Sequence, residues 1–232
     1  MMTVLYSFIR KSIFRKAFWV LLALSVLAGD GFAREGGRAA KGLTALTSRD
    51  ARSVYSIDPA QSELVIHTGT SGLFAGMGHK LSILAKEIGG KVLLSREDLS
   101  KSSLEINVKS ASLAVTDKVS EKDKAEIESN MREKVLQTRE FPEVSFKSTG
   151  IEVEKTGEHD YKLRIAGDFT LLGVTRSLVL PALLHLEEKR LEASGEFEIK
   201  QKDFGMKPSS GAGGMVKVKN ELKVTYRIVA HP

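Results

Sequence analysis

"YKLRIAGDFTLLGVTRSLVLP", Tyr161 to Pro181, is the stretch on which the fold class turns. Tyr161, Leu163, Ile165 and Phe169 fall on one face, with Lys162, Arg164 and Asp168 on the other. A period of two marks a strand with one buried side, because successive side chains of a strand point to opposite faces. The turn "GVT" at Gly173 follows, and beyond it an apolar run from Leu178 to Leu186. So short a connection joins its two strands in antiparallel.

The alternation continues in both directions. Leu64, Ile66 and Thr68 alternate with Val65 and His67; Leu104, Ile106 and Val108 alternate with Glu105, Asn107 and Lys109; Val144 and Phe146 alternate with Ser145 and Lys147. Phe197 and Ile199 alternate with Glu196, Glu198 and Lys200, and a long final run carries Val216, Val218, Leu222, Val224, Tyr226 and Ile228. With the apolar run Leu81 to Leu94 this makes about eight strands. Turn residues separate most of them, at Gly89, Lys155, Gly173 and Glu187. An antiparallel set of that size either stacks as a sandwich or closes as a barrel.

One segment has a different period. "VSEKDKAEIESNMREKVLQT", Val119 to Thr138, places Ile127, Met131 and Val135 at i, i+4 and i+8, and spaces Ser120 and Asp123 as a capping box. It predicts an amphipathic helix of about four turns inserted between strands, with its apolar face on the mouth or flank of the sheet.

The amino terminus is set apart. Arg10, Lys11, Arg15 and Lys16 precede "AFWVLLALSVLAG", and Gly31 and Ala33 follow as a small-x-small pattern. This predicts a secretory signal peptide over residues 1–33, since the apolar run is shorter than the roughly twenty residues of a spanning helix. A flexible leader over 34–53 and one barrel domain over 54–232 come next. The expected location is the periplasm, with secretion as the other destination of an exported chain.

Of the 232 residues, 42% are hydrophobic and 28% charged, the composition of an ordinary globular domain. There is no cysteine, so the exported protein uses neither disulfides nor thiol chemistry. Loss of the signal's four basic residues and one acidic residue lowers the formal charge from +6 to +3. The remaining Lys and Arg are interleaved with Asp and Glu, so nucleic acid is not an expected partner.

Motifs for chemistry are missing. His67, His79, His159, His185 and His231 are scattered without metal-ligand spacing, and no Gly-x-Ser-x-Gly elbow is present. The glycines at 69, 72, 76 and 78 lack a closing Gly-Lys-Ser/Thr and read as bends at a barrel rim. The expectation is no catalytic residue, no metal and no cofactor. An eight-stranded barrel is just wide enough to be filled by its own side chains or to hold one small ligand, and the residues alone leave both open.

Five ordered segments stand out: "YSIDPAQSELVIHTG" from Tyr55, "GMGHKLSI" from Gly76, "REFPEVSFKSTGIEV" from Arg139, "GDFTLLGVTRSLVLP" from Gly167 and "IKQKDFGM" from Ile199. Together they resemble the YceI-like family of exported, lipocalin-like lipid-binding proteins. The resemblance implies an all-β, eight-stranded antiparallel barrel of lipocalin type with one inserted helix. It also implies a hollow interior that takes a polyisoprenoid, an isoprenoid quinone or a fatty-acid derivative as ligand rather than cofactor. The chain departs from the family where an Arg-Asp-x-His-Leu run is replaced by "KAEIESNMREKVLQ", and where Gln201 and Lys202 stand in place of an arginine before Asp-Phe-Gly.

On this reading the lining comes from the inward set Leu104, Ile106, Val108, Phe146, Leu163, Ile165, Phe169, Leu178, Leu180, Phe197, Val218, Val224 and Tyr226. Phe74, Met77, His79 and Met131 are assigned to the mouth. There the His79 imidazole bonds either a ligand head group or a neighbouring backbone carbonyl. The expected partner is a hydrophobic small molecule; transient membrane contact and a homodimer stay open. The rival readings are an envelope interaction module with a filled core and a metal-assisted enzyme using His79.

Overall fold

The computed structural model describes residues 52–71, 80–207, 210–211 and 216–232. The expected signal peptide, the leader up to residue 51, and Phe74, Met77 and His79 lie outside the described residues. In chain order the elements are β1 Ser53–Ile57, β2 Glu63–Ser71, β3 Ser82–Ala85, β4 Ile88–Leu94, β5 Ser103–Lys109, β6 Leu113–Val115, α1 Glu121–Asn130, β7 Glu143–Lys155, β8 Asp160–Leu171, β9 Val174–Leu186, β10 Leu191–Lys200, β11 Ser210–Gly211 and β12 Val216–His231.

The ring runs β1-β4-β5-β7-β8-β9-β10-β12, and β12 returns to β1 through Ser56↔His231 and Ile57↔Ala230. This is a closed eight-stranded antiparallel barrel, as the resemblance implies, and it decides between the sandwich and the barrel that the alternation left open. Three of its staves are broken. β2 continues β1 along β12, β3 continues β4, and β6 continues β5. The run Leu81 to Leu94, read as one strand, is therefore two, divided at Lys86 and Glu87 and not at the turn expected at Gly89, since Gly89 and Gly90 pair with Asn107 and Ile106 inside β4.

Two irregularities re-aim side chains. Between Ser148↔Gly167 and Gly150↔Ala166, β7 advances two residues while β8 advances one. Such a bulge reverses the parity of everything beyond it. Between Val218↔Thr70 and Leu222↔Thr68, β12 advances four residues against two of β2. The short helical turn Gln201–Phe204 holds this excess, with Gln201 Nε2 donating to the Lys219 carbonyl at 2.7 Å and Lys202 N to Asn220 Oδ1 at 3.0 Å.

One end of the barrel is strapped shut. Arg96, in the β4–β5 connection, donates from Nη2 to Tyr55 Oη at 2.6 Å, to the Glu187 carbonyl at 2.6 Å and to the Glu188 carbonyl. The β4–β5 and β9–β10 connections stand on opposite sides of the ring, so the contact spans its end. Beneath it Tyr55, Leu94 and Leu99 are buried.

The helix sits toward the other end. Ser120 Oγ accepts from Asp123 N at 3.1 Å, which bears out the cap. Glu128 Oε1 accepts from the Val115 N–H on β6 at 3.0 Å, and its other oxygen holds Arg132 at 2.8 Å. The expected stripe is only partly realised: no residue of α1 itself is buried, and Met131 follows in a π-turn, Met131–Val135. There Leu136 N bonds the Met131 carbonyl at 2.8 Å, and this i→i+5 spacing turns Leu136 inward instead of Val135.

Candidate ligand-binding cavity

Strand alternation builds the cavity wall directly. Leu163, Ile165, Phe169 and Leu171 project inward from β8, Leu180, Ala182 and Leu184 from β9, and Val224, Tyr226 and Ile228 from β12. They enclose a cavity of about 190 Å³. This exceeds the roughly 150 Å³ of apolar cavities that stay dry and take a benzene-sized guest. The lining reaches from Leu163 to Leu171 on β8 and from Leu191 to Ile199 on β10. Each stretch spans about 26 Å along its strand, and about 20 Å along the axis at ordinary strand tilt. The space is long and narrow.

Among the described residues, Ser102, Ser145 and Tyr226 are those with polar side chains along this wall. Tyr226 Oη donates to the Pro181 carbonyl at 2.7 Å, and burial pushes its phenol well above the usual range, so it stays a neutral donor. Inside, aromatic rings form a row. Tyr226 lies 6.2 Å from Phe197, Phe197 lies 6.3 Å from Phe169, and Phe169 lies 5.4 Å from Phe204, measured between ring centroids.

Of the expected lining, Leu104, Ile106, Val108, Phe146, Leu163, Ile165, Phe169, Leu180, Phe197, Val224 and Tyr226 face the cavity. Leu178 and Val218 do not, nor does Met131, which was assigned to the mouth; they pack on the surrounding core. Val218 lies beyond the β12 excess, at the rim. Leu178 pairs with Gly167, over which the Phe146 ring closes so tightly that a Cβ on Gly167 would lie 2.4 Å from it. Met131 is buried at the start of the π-turn, while Leu136, at its end, reaches the cavity.

Sequence reasoning passed over other lining residues. Val144 shares the face of Phe146, Ala182 and Leu184 continue that of Leu180, and Leu64 and Ile66 form a face already visible in their own strand. Each was within reach of the alternation. Ile151 and Leu136 were not, because a bulge and a π-turn shift them out of phase.

The histidines among the described residues stay away from this wall. His67 bonds Thr225 Oγ1 at 3.0 Å, His185 bonds Asp160 at 2.7 Å, and His231 bonds the Lys189 carbonyl at 3.2 Å. Among the described residues, no group of three or more His, Asp or Glu is placed to hold a metal ion.

Solved structures share this architecture. Burkholderia cenocepacia BcnA aligns with a TM-score of 0.58 at 16% identity, over 75% of this chain and 98% of its own. A polyisoprenoid-binding domain from Saccharophagus degradans, implicated in plant cell wall breakdown, aligns with a TM-score of 0.56 at 14% identity, over 76% and 97%. The Campylobacter jejuni YceI protein aligns with a TM-score of 0.50 at 16% identity, over 65% and 84%. The comparison with curated proteins returned no match. At such identities the likeness speaks for the fold, whereas the YceI-like domain model matches the sequence itself over residues 55–230. Bounded by the strand that closes the ring at one limit and by its partner at the other, that match makes this chain a member of the YceI-like domain family.

Proposed function

We propose that the protein is an exported carrier that buries the apolar tail of a single amphiphile of polyisoprenoid, isoprenoid quinone or fatty-acid type. The observation that carries this reading is the long apolar cavity in a closed barrel, whose wall, among the described residues, offers one titratable side chain, a neutral tyrosine. Such a wall holds a ligand by removing its surface from water. Burying about 200 Å² of tail contributes about 5 kcal/mol at roughly 25 cal/mol per Å². The Saccharophagus degradans relative, described as polyisoprenoid-binding, supports the same ligand class. The basic and then apolar amino terminus supports export, to the periplasm on this reading.

The test is native mass spectrometry of the protein purified from an envelope fraction, followed by organic extraction. The expected result is one amphiphile per chain and a mature amino terminus near residue 34. An apo mass that stays unchanged after incubation with isoprenoids and quinones overturns the carrier reading in favour of a ligand-free module.

A further inference from the structure

The barrel wall is not closed by the same means all round. β8 pairs with β9 without a break from Asp160↔His185 to Leu171↔Val174. On its other edge β9 pairs with β10 only from Leu191↔Leu186 to Ser194↔Leu183. Beyond that rung, Val174 to Ala182 on β9 and Gly195 to Lys200 on β10 have no strand partner among the described residues on the sides that face each other. This unladdered seam fronts the cavity, since Leu180 and Ala182 on one flank and Phe197 and Ile199 on the other line it.

Sequence accounts for the seam. The Pro181 carbonyl points at β10, for a Cβ on Gly195 would lie 2.2 Å from it. In a strand the N–H and C=O of one residue point to the same side, so the Pro181 nitrogen, which has no hydrogen, also faces β10. The ladder stops where its next donor is missing. Side chains bridge the gap instead. Tyr226 Oη reaches across Gly195 to the Pro181 carbonyl at 2.7 Å, and Arg176 Nε reaches the Asp203 carbonyl at 3.1 Å. Phe197 stands behind them in the aromatic row.

We infer that the β9–β10 seam is a side entrance through which the apolar chain of the ligand passes into the barrel, with the Tyr226 hydroxyl as its latch. The inference rests on the carrier reading. A seam crossed by side-chain hydrogen bonds rather than by ladder rungs parts by side-chain rotation, which is far faster than breaking a ladder. Val179 and Leu183 face outward on the β9 flank at 47% and 62% exposure, so the approach is apolar as well.

The experiment is stopped-flow binding and release of a dansyl-labelled eleven-carbon fatty acid, alongside a fluorescent polyprenyl probe. The chain has no cysteine, so a single introduced one is labelled uniquely. Tyr226→Phe removes the latch and is expected to speed both uptake and release about fivefold, the weight of one hydrogen bond. Val179→Cys carrying a bulky maleimide is expected to slow both at least tenfold with an unchanged equilibrium constant. The same label on Val54→Cys, exposed on β1, leaves both rates as they were. If the wild type binds the probes but neither Tyr226→Phe nor labelled Val179→Cys shifts the rates by more than twofold, the entrance lies elsewhere and the inference is overturned. If the wild type binds neither probe, the carrier reading itself fails and the entrance goes with it.

Discussion

Strand β9 has two neighbours and is held to them by different means. Toward β8 it is bonded along its whole length; toward β10 the rungs stop after Ser194↔Leu183 and side chains take over. The residues on the two sides are otherwise alike: both flanks alternate apolar inward and polar or exposed outward, and both line the same cavity. What separates them is the edge that Pro181 faces, toward β10 and its Gly195. The comparison shows that a barrel wall can be continuous in topology while part of it is held by groups that rotate independently.

The sharpest way to break this contrast is to place a new proline on each side of β9. Ala182 alternates with Pro181, so its N–H faces β8, whereas the Val179 N–H shares the parity of Pro181 and faces the seam. Ala182→Pro should therefore cost about 3 kcal/mol or more in urea unfolding, and Val179→Pro under about 1 kcal/mol. Equal losses would mean that the seam is laddered in solution.

A smaller effect is expected from Gly195→Val. Its Cβ would meet the Pro181 carbonyl at 2.2 Å and the Tyr226 hydroxyl at 2.7 Å, so the flanks must part. We expect a loss of about 2 kcal/mol by overpacking, together with faster probe exchange; destabilisation with unchanged exchange would separate the glycine from the entrance.

The smallest effect belongs to the laddered side. His185 and Asp160 form its first rung, and the hydrogen bond that the His185 imidazole donates to the Asp160 carboxylate raises the His185 pKa above its ordinary 6.5. A raised folded-state pKa means stability that is fully present below the unfolded value and lost as pH rises through the folded one. Urea midpoints of the wild type should fall slightly between about pH 5.5 and about pH 8 relative to His185→Gln. A difference of the opposite sign would show that the pair is not bonded in solution.

Much of this was legible in the chain itself. The inward faces of β5, β8 and β12 follow from alternation, and Leu104, Leu163, Ile165, Val224 and Tyr226 line the cavity as their parity required. The Ser120 cap was readable because it involves two residues three apart. Met131 and Leu136 mark where local reading ends. A stripe at i, i+4 and i+8 assumes an unbroken α-helix, and the π-turn inserts one residue that no window on the stripe contains. Ile151 is the strand counterpart, moved to the inward face by the bulge between Ser148 and Gly150.

By itself, then, the sequence determined that the chain is all-β, which side of each regular strand is apolar, where the turns at Lys155, Gly173 and Glu187 fall, and that one helix interrupts the series. Periodicity is a local property, and each of these needs only neighbours in the chain. Closure of the ring, by contrast, depends on Ser56 meeting His231, residues brought together only when every intervening register is satisfied. The hollow interior was likewise decided in three dimensions. Whether a ring of side chains fills its own centre depends on their summed volume against the barrel's width, and on bulges that choose which of them point inward. The β9–β10 seam joins both levels: Pro181 and Gly195 are written in the chain, but that they face each other across one wall is settled only by the fold.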